Sequence, residues 1–217
     1  MMRAVARCQA LHIEEPEWFR RPDVARWLDG PQRPAAWHRP GEPADHRTGF
    51  VSVVEPGVMG SDAQTAPLDV WLAMCRTAYE THHHGDPWML GRGGQSRQIF
   101  VRVANTPAME FPMRKTARTA GLVLNAPEIF ERPDFLAWLN DPDNRVATWH
   151  RKGEEPGEYS DVFVLVDSDY EGPESDMPED VWKAICDAAY AEYAPGSQEL
   201  PRHLEAAIVV RLTNLEE

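Results

Sequence analysis

The stretch ATWHRKGEEPGEYSDVFVLVDSD, from Ala147 to Asp169, has a counterpart earlier in the chain, AAWHRPGEPADHRTGFVSVVEPG, from Ala35 to Gly57. The likeness continues on both sides, since RPDVARWLDGP at 21–31 matches RPDFLAWLNDP at 132–142, and IFVRVAN at 99–105 matches IVVRLTN at 208–214. Self-similarity over most of a chain is the signature of a repeated structural unit. The pattern predicts a tandem duplication, with a first repeat at 1–107, a second at 108–217 and a linker at about 106–116.

Each half carries the same succession of strand and helix signals. Short apolar runs, CQALHI and GLVLN, predict a first strand, and continuous apolar runs, FVSVV and VFVLV, predict a central strand. Between them, Pro22 and Pro133 suit the first turn of a helix, and Asp23 and Asp134 suit its positive end. Each half therefore reads as strand, helix, strand, strand, helix, strand.

The second helix of each half begins near TAPLDVW or DMPEDVW. Asp176 followed by Glu179 has the spacing of a capping box, so the pair is predicted to cap the helix of the second half. The matched tryptophans of the two halves stand at periodic positions and are predicted to be core: 27 and 138, 37 and 149, 71 and 182.

This element order is that of the ferredoxin-like, or split βαβ, motif. The predicted fold class is α+β: a tandem duplication of a βαββαβ two-layer sandwich, with both helices of a unit on one face of an antiparallel sheet. The two copies are expected to form a pseudo-twofold pair whose sheets pack together or continue across an edge.

Composition bears on location and partners. The chain has 217 residues and no apolar run of the ~18 residues that span a bilayer, and its start lacks a secretory signal. The three cysteines have no paired spacing, so reduced thiols in a cytoplasmic protein are expected.

The net charge of -13 is carried almost entirely by the second half. Residues 1–110 hold 12 Lys and Arg against 13 Asp and Glu, whereas residues 111–217 hold 10 against 22. A negative field repels phosphates, which argues against direct nucleic-acid or membrane binding and favours a basic protein partner. A general role in solubility is the alternative explanation of the same charge.

The charge is densest from Glu154 to Asp180, which contains 11 acidic side chains and no basic one. This segment predicts a non-catalytic binding protein, like an inhibitor, immunity protein or antitoxin, that docks on a basic protein such as a nucleic-acid-handling enzyme or toxin. The predicted partner-binding residues are Glu154, Glu155, Glu158, Asp161, Asp167, Asp169, Glu171, Glu174 and Asp176.

The alternative function is a small-ligand sensor or enzyme that uses a groove between the repeats. It rests on the shared Trp-His-Arg, which makes His38, Arg39, His150 and Arg151 the possible ligand-binding residues. Because neighbours in a strand point to opposite faces, the three residues of each copy cannot converge on one ligand, and an edge-strand role is the simpler explanation.

Other motifs are weaker. His82, His83 and His84 are consecutive helical residues, which rarely hold one metal ion, and DSDYEG at 167–172 begins like a calcium loop but has Pro178 where the twelfth-position Glu belongs. Trp18 and Trp88 have no counterpart and would be contact anchors if exposed. No cofactor or metal is predicted.

Overall fold

The computed structural model describes residues 2–30, 35–37, 49–54, 66–83, 98–105, 116–141, 147–149, 161–167, 177–194 and 207–214. These residues form a mixed α+β fold. Its elements are, in order, β1 (Arg3–Glu14), α1 (Pro16–Phe19), α2 (Pro22–Leu28), β2 (Ala35–Trp37), β3 (Gly49–Val54), α3 (Leu68–His83), β4 (Ile99–Ala104), β5 (Thr116–Asn125), α4 (Pro127–Phe130), α5 (Pro133–Asn140), β6 (Ala147–Trp149), β7 (Asp161–Asp167), α6 (Glu179–Tyr193) and β8 (Ala207–Thr213).

The strands form one eight-stranded sheet in the order β2-β3-β4-β1-β5-β8-β7-β6. The pairs β1–β4 and β5–β8 are parallel, and the other pairs are antiparallel. The predicted antiparallel sheet is therefore wrong, and so is the ferredoxin-like arrangement, in which the first strand lies between the third and fourth. Here β1 pairs with β4 of its own half along one edge and with β5 of the second half along the other.

The two halves of the sheet join through β1 and β5. These strands pair antiparallel from Arg3 opposite Asn125 to Ile13 opposite Thr116, with a bulge between Ala4 and Ala6. Both strands are longer than their apolar runs predicted. The predicted linker at 106–116 lies outside the described residues except for Thr116, where β5 begins.

The sheet is strongly curled. In the strand order, β4 and β7 are separated by β1, β5 and β8, which in a flat sheet would set them about 19 Å apart at ~4.8 Å per strand. The rings of Phe100 on β4 and Phe163 on β7 nevertheless meet edge to face, with their centroids 5.4 Å apart. The edge strands β2 and β6 also approach one another, within 8 Å between Cα atoms. The sheet thus has a concave face that both halves line.

The helices cover the convex face. Val24, Trp27 and Leu28 of α2 and the buried face of α3 pack on β1, β3 and β4, while α4, α5 and α6 pack on β5, β7 and β8. The prediction that matched tryptophans are core is confirmed for Trp27, Trp71, Trp138 and Trp182, each less than a tenth exposed. The side chains of the third pair, 37 and 149, lie outside the described part.

In each half, one arginine forms ion pairs with aspartates of two helices. Arg21 precedes Pro22 at the start of α2 and binds Asp23 at 2.7 Å and Asp69 of α3 at 2.5 Å. Arg132 makes the matching contacts with Asp134 and with Asp180 of α6. Proline thus opens both helices as predicted.

The predicted capping box of the second half is wrong. The N-cap of α6 is Pro178, two residues after Asp176, and it makes no side-chain cap hydrogen bond; the helix begins at Glu179. Glu179 then stands in the first turn, where a carboxylate favours the positive end of the helix without closing a capping box.

Candidate functional site

The middle of the concave face is filled by apolar side chains from both halves. They are Cys8, Ala10, Val51, Val53, Phe100, Val123, Phe163, Leu165 and Val209. Gly121 makes this packing possible, because a Cβ there would lie 3.0 Å from both the Cys8 Cβ and the Phe100 Cδ2. Polar chemistry is therefore confined to the margins of this apolar layer.

The polar margins occupy matching rows in the two halves. In the first half, His12, Arg102 and Val51 lie side by side across β1, β4 and β3, followed by a row of Glu14, Ala104 and Gly49. In the second half, the corresponding rows across β5, β8 and β7 are Val123, Arg211 and Phe163, then Asn125, Thr213 and Asp161. Both halves place one arginine at this margin, but its surroundings differ.

The second-half margin, which we call the Asp161 cluster, is a buried ion-pair network. Arg211 donates to Asp161 Oδ2 at 2.6 Å; the carboxylate is completely buried, and the arginine side chain is 13% exposed. Arg211 also donates to Oε1 of Gln98, at 3.3 Å, and so reaches from the second half to the residue that precedes β4. Thr213 donates to Asn125 Oδ1 at 3.1 Å. Such a network has a structural role, because its charges are desolvated and held against each other.

This geometry corrects one predicted partner-binding residue. Asp161 cannot meet a protein surface, because it is buried and paired with Arg211. Asp167 ends β7 opposite Ala207, and its side chain is outside the described part. The remaining predicted docking residues, Glu154, Glu155, Glu158, Asp169, Glu171, Glu174 and Asp176, lie outside the described residues.

The first-half margin, which we call the His12 cluster, consists of His12, Glu14 and Arg102. The side chains of His12 and Glu14 are 22% and 16% exposed, and His12 Nε2 lies 3.8 Å from Glu14 Oε1. Burial, with a smaller contribution from the charge of Arg102, lowers the pKa of His12 to about 4. The imidazole is therefore neutral near pH 7, and the cluster combines a neutral donor and acceptor, a carboxylate and a guanidinium.

Sequence reasoning missed the His12 cluster. One signal for it was present, since Arg102 and Arg211 match within IFVRVAN and IVVRLTN. In the structure both arginines lie on the concave face, two residues after Phe100 and Val209 on their strands. Nothing in the local sequence, however, indicates that His12 lies beside Arg102, because that pairing depends on the parallel contact between β1 and β4.

A second polar group lies on the convex side of the junction between the halves. Tyr193 of α6 donates to the Gly121 carbonyl at 2.5 Å, and burial raises the pKa of this phenol. His82 of α3 bonds the Ala10 carbonyl at 2.9 Å through Nε2. Of the His82–His84 run, His84 and the side chain of His83 lie outside the described part, so the prediction for this run as a metal site stays a prediction. Of the DSDYEG motif at 167–172, only Asp167, the last residue of β7, is described, and residues 168–172 lie outside the described part.

The junction is braced by arginines that cross it. Arg7 of β1 donates to Glu192 of α6 at 2.7 Å and lies over the Tyr193 ring, 5.5 Å from its centroid. Arg118 of β5 donates in the opposite direction, to the Thr81 carbonyl of α3. The contacts of Arg7 and Arg118 therefore connect each half to a helix of the other half.

The other predicted site residues are only partly placed. His38, Arg39, His150 and Arg151 lie outside the described residues, but the strands that immediately precede them, β2 and β6, are the edge strands that approach each other. Trp18 is partly buried against the first-half core rather than fully exposed, and Trp88 is outside the described part.

The three cysteines are free thiols, and burial raises the pKa of two of them, Cys75 and Cys186. Cys8 and Cys75 are buried, and Cys186 is partly buried. Burial raises the pKa of Cys75 to about 12 and that of Cys186 to about 11. These thiols are poor nucleophiles and poor metal ligands at neutral pH.

Comparison with protein-family models, with curated proteins and with solved structures found no match. Within the described ranges, no group of three His, Cys, Asp or Glu residues is placed to hold a metal ion. None of the helices described is both long and apolar enough to cross a membrane.

Proposed function

We propose that the protein is a non-catalytic binding protein whose acidic second half docks on a basic protein surface, in the manner of an inhibitor, immunity protein or antitoxin. The docking residues are the predicted partner-binding residues without Asp161: Glu154, Glu155, Glu158, Asp167, Asp169, Glu171, Glu174 and Asp176. The observation that carries the proposal is the surplus of acidic residues in one half of a chain whose other half is nearly neutral.

The described cations of the second half support this reading. Arg132 forms ion pairs with Asp134 and Asp180, and Lys183 forms one with Asp187 at 2.5 Å. Arg118 donates a hydrogen bond to the Thr81 carbonyl. Arg211 pairs with Asp161, and both Asp161 and Asp180 belong to the acidic segment but not to the docking set. These cations are therefore engaged by the fold, which favours a carboxylate-rich segment that meets positive charge from a partner.

The experiment compares two variants with the same change in net charge. Glu171→Gln, Glu174→Gln and Asp176→Asn are combined in one protein, and Glu42→Gln, Asp45→Asn and Glu55→Gln in the control, which changes the counterpart segment of the first half. Binding to a polyarginine peptide is measured by fluorescence anisotropy at about 50 and 300 mM salt, because screening weakens docking between exposed charges. The second-half variant is expected to bind at least about tenfold more weakly than the control. Equal weakening in both variants would reject a localised docking surface.

A second function is favoured by the approach of β2 to β6. The two strands end at Trp37 and Trp149, directly before His38 and His150 in the sequence. Their approach favours a small-ligand sensor or enzyme that uses His38, Arg39, His150 and Arg151. Replacing His38 and His150 with Gln should then abolish the increase in thermal stability that a bound metabolite produces, while the acidic-segment variant should retain it.

We also infer that the chain arose by tandem duplication of a βαββαβ unit and that its halves are related by a pseudo-twofold axis. Both halves contribute the same strand order read outward from the junction. The register of β1 and β5 is centred on Gln9 opposite Ala120, which are equivalent residues when Leu11 is aligned with Leu122. The ion pairs between Arg21 and Asp69 and between Arg132 and Asp180 both join residues that are 48 positions apart in the sequence. These correspondences support common descent of the two halves.

A further inference from the structure

We draw no further inference here: the strongest candidate, the edge of β1 at residues 4–7 that faces away from β5 and pairs with no strand in the described part of the chain, carries nothing because nothing among the described residues shows what covers it.

Discussion

Removal of the Asp161 carboxylate should destabilise the protein more than any surface charge change. Asp161 is completely buried, and its partner Arg211 is 13% exposed, with the two charged atoms 2.6 Å apart. Asp161→Ala would leave a largely desolvated guanidinium without this carboxylate, a change that costs about 3–5 kcal/mol in buried pairs. Since folded domains are stable by only about 5–15 kcal/mol, the loss would be a large fraction of the total.

A double-mutant cycle separates the pair from its two members. Arg211→Met alone should destabilise by a similar amount, because it strands the buried carboxylate. Asp161→Ala combined with Arg211→Met completes the cycle and should be more stable than either single variant, because neither charge is then left buried without its partner. Urea unfolding followed by tryptophan fluorescence gives each free energy of unfolding, since Trp27, Trp71, Trp138 and Trp182 are buried in the native state.

The matched control is the Lys183–Asp187 pair, whose side chains are 71% and 64% exposed. Asp187→Ala should leave the unfolding midpoint indistinguishable from the wild type at moderate salt. The reasoning about the concave face would be refuted if Asp161→Ala unfolded at the wild-type midpoint, or if the double replacement were as unstable as the worse single variant.

Three further outcomes follow from the described contacts. Gly121→Ala should cost about 1–3 kcal/mol on urea unfolding, because its Cβ would press on Cys8 and Phe100 at 3.0 Å; unchanged stability would contradict the close packing. Because burial lowers the pKa of His12 to about 4 from its ordinary value of 6.5, the unfolded chain takes up a proton at a higher pH than the native chain, and stability should decline as pH falls from about 6.5 toward 4. His12→Asn should show a shallower decline over that range in urea titrations, and an identical slope would refute the assignment. Iodoacetamide should leave Cys75 unmodified in the native protein near pH 8 and alkylate it in urea, as mass spectrometry would show; native labelling would contradict its burial and its pKa of about 12.

Local elements were predictable because local chemistry determines them. Pro22 and Pro133 each remove a backbone donor at the position where a helix needs none, and the stripe of Val24, Trp27 and Leu28 has helical spacing. The continuous apolar runs FVSVV and VFVLV became β3 and β7, strands covered on both faces by the helices and by the concave-face layer.

The sheet order was not predictable from the succession of elements. The same βαββαβ order can place β4 on either side of β1, and the choice depends on contacts between residues far apart in sequence. In this chain β1 has apolar residues on both faces, with Cys8 and Ala10 toward the concave layer and Leu11 and Ile13 toward the helices. A strand buried on both faces belongs in the interior of a sheet, which is where pairing with β4 and β5 puts it.

The misassignment of Asp161 has a similar origin. It stands in a run of acidic residues, and composition treats all members of such a run alike, yet its partner Arg211 is 50 residues away along the chain. Burial distinguishes Asp161 from an exposed acidic residue, because its side chain lies on the concave face that β8 also lines and pairs there with Arg211. In an acidic run that enters a strand, the burial of each residue must therefore be known before its charge is assigned to a surface.

The two margins of the concave face show how one fold can give its halves different chemistry. Arg211 is held by a carboxylate that arrives from β7, whereas β3 has Gly49 at that place and the carboxylate of the first half stands on β1 as Glu14. In the Asp161 cluster the carboxylate is buried and the two charges are paired with each other. In the His12 cluster the histidine is neutral near pH 7, and the side chains of His12 and Glu14 are partly exposed. The same place in the two halves thus carries a buried carboxylate in one and a glycine in the other, because a Cβ at Gly49 would lie 2.8 Å from the Val103 carbonyl oxygen. Among the described residues, the chemistry of each margin is therefore determined by single substitutions within a shared strand arrangement and not by the arrangement itself.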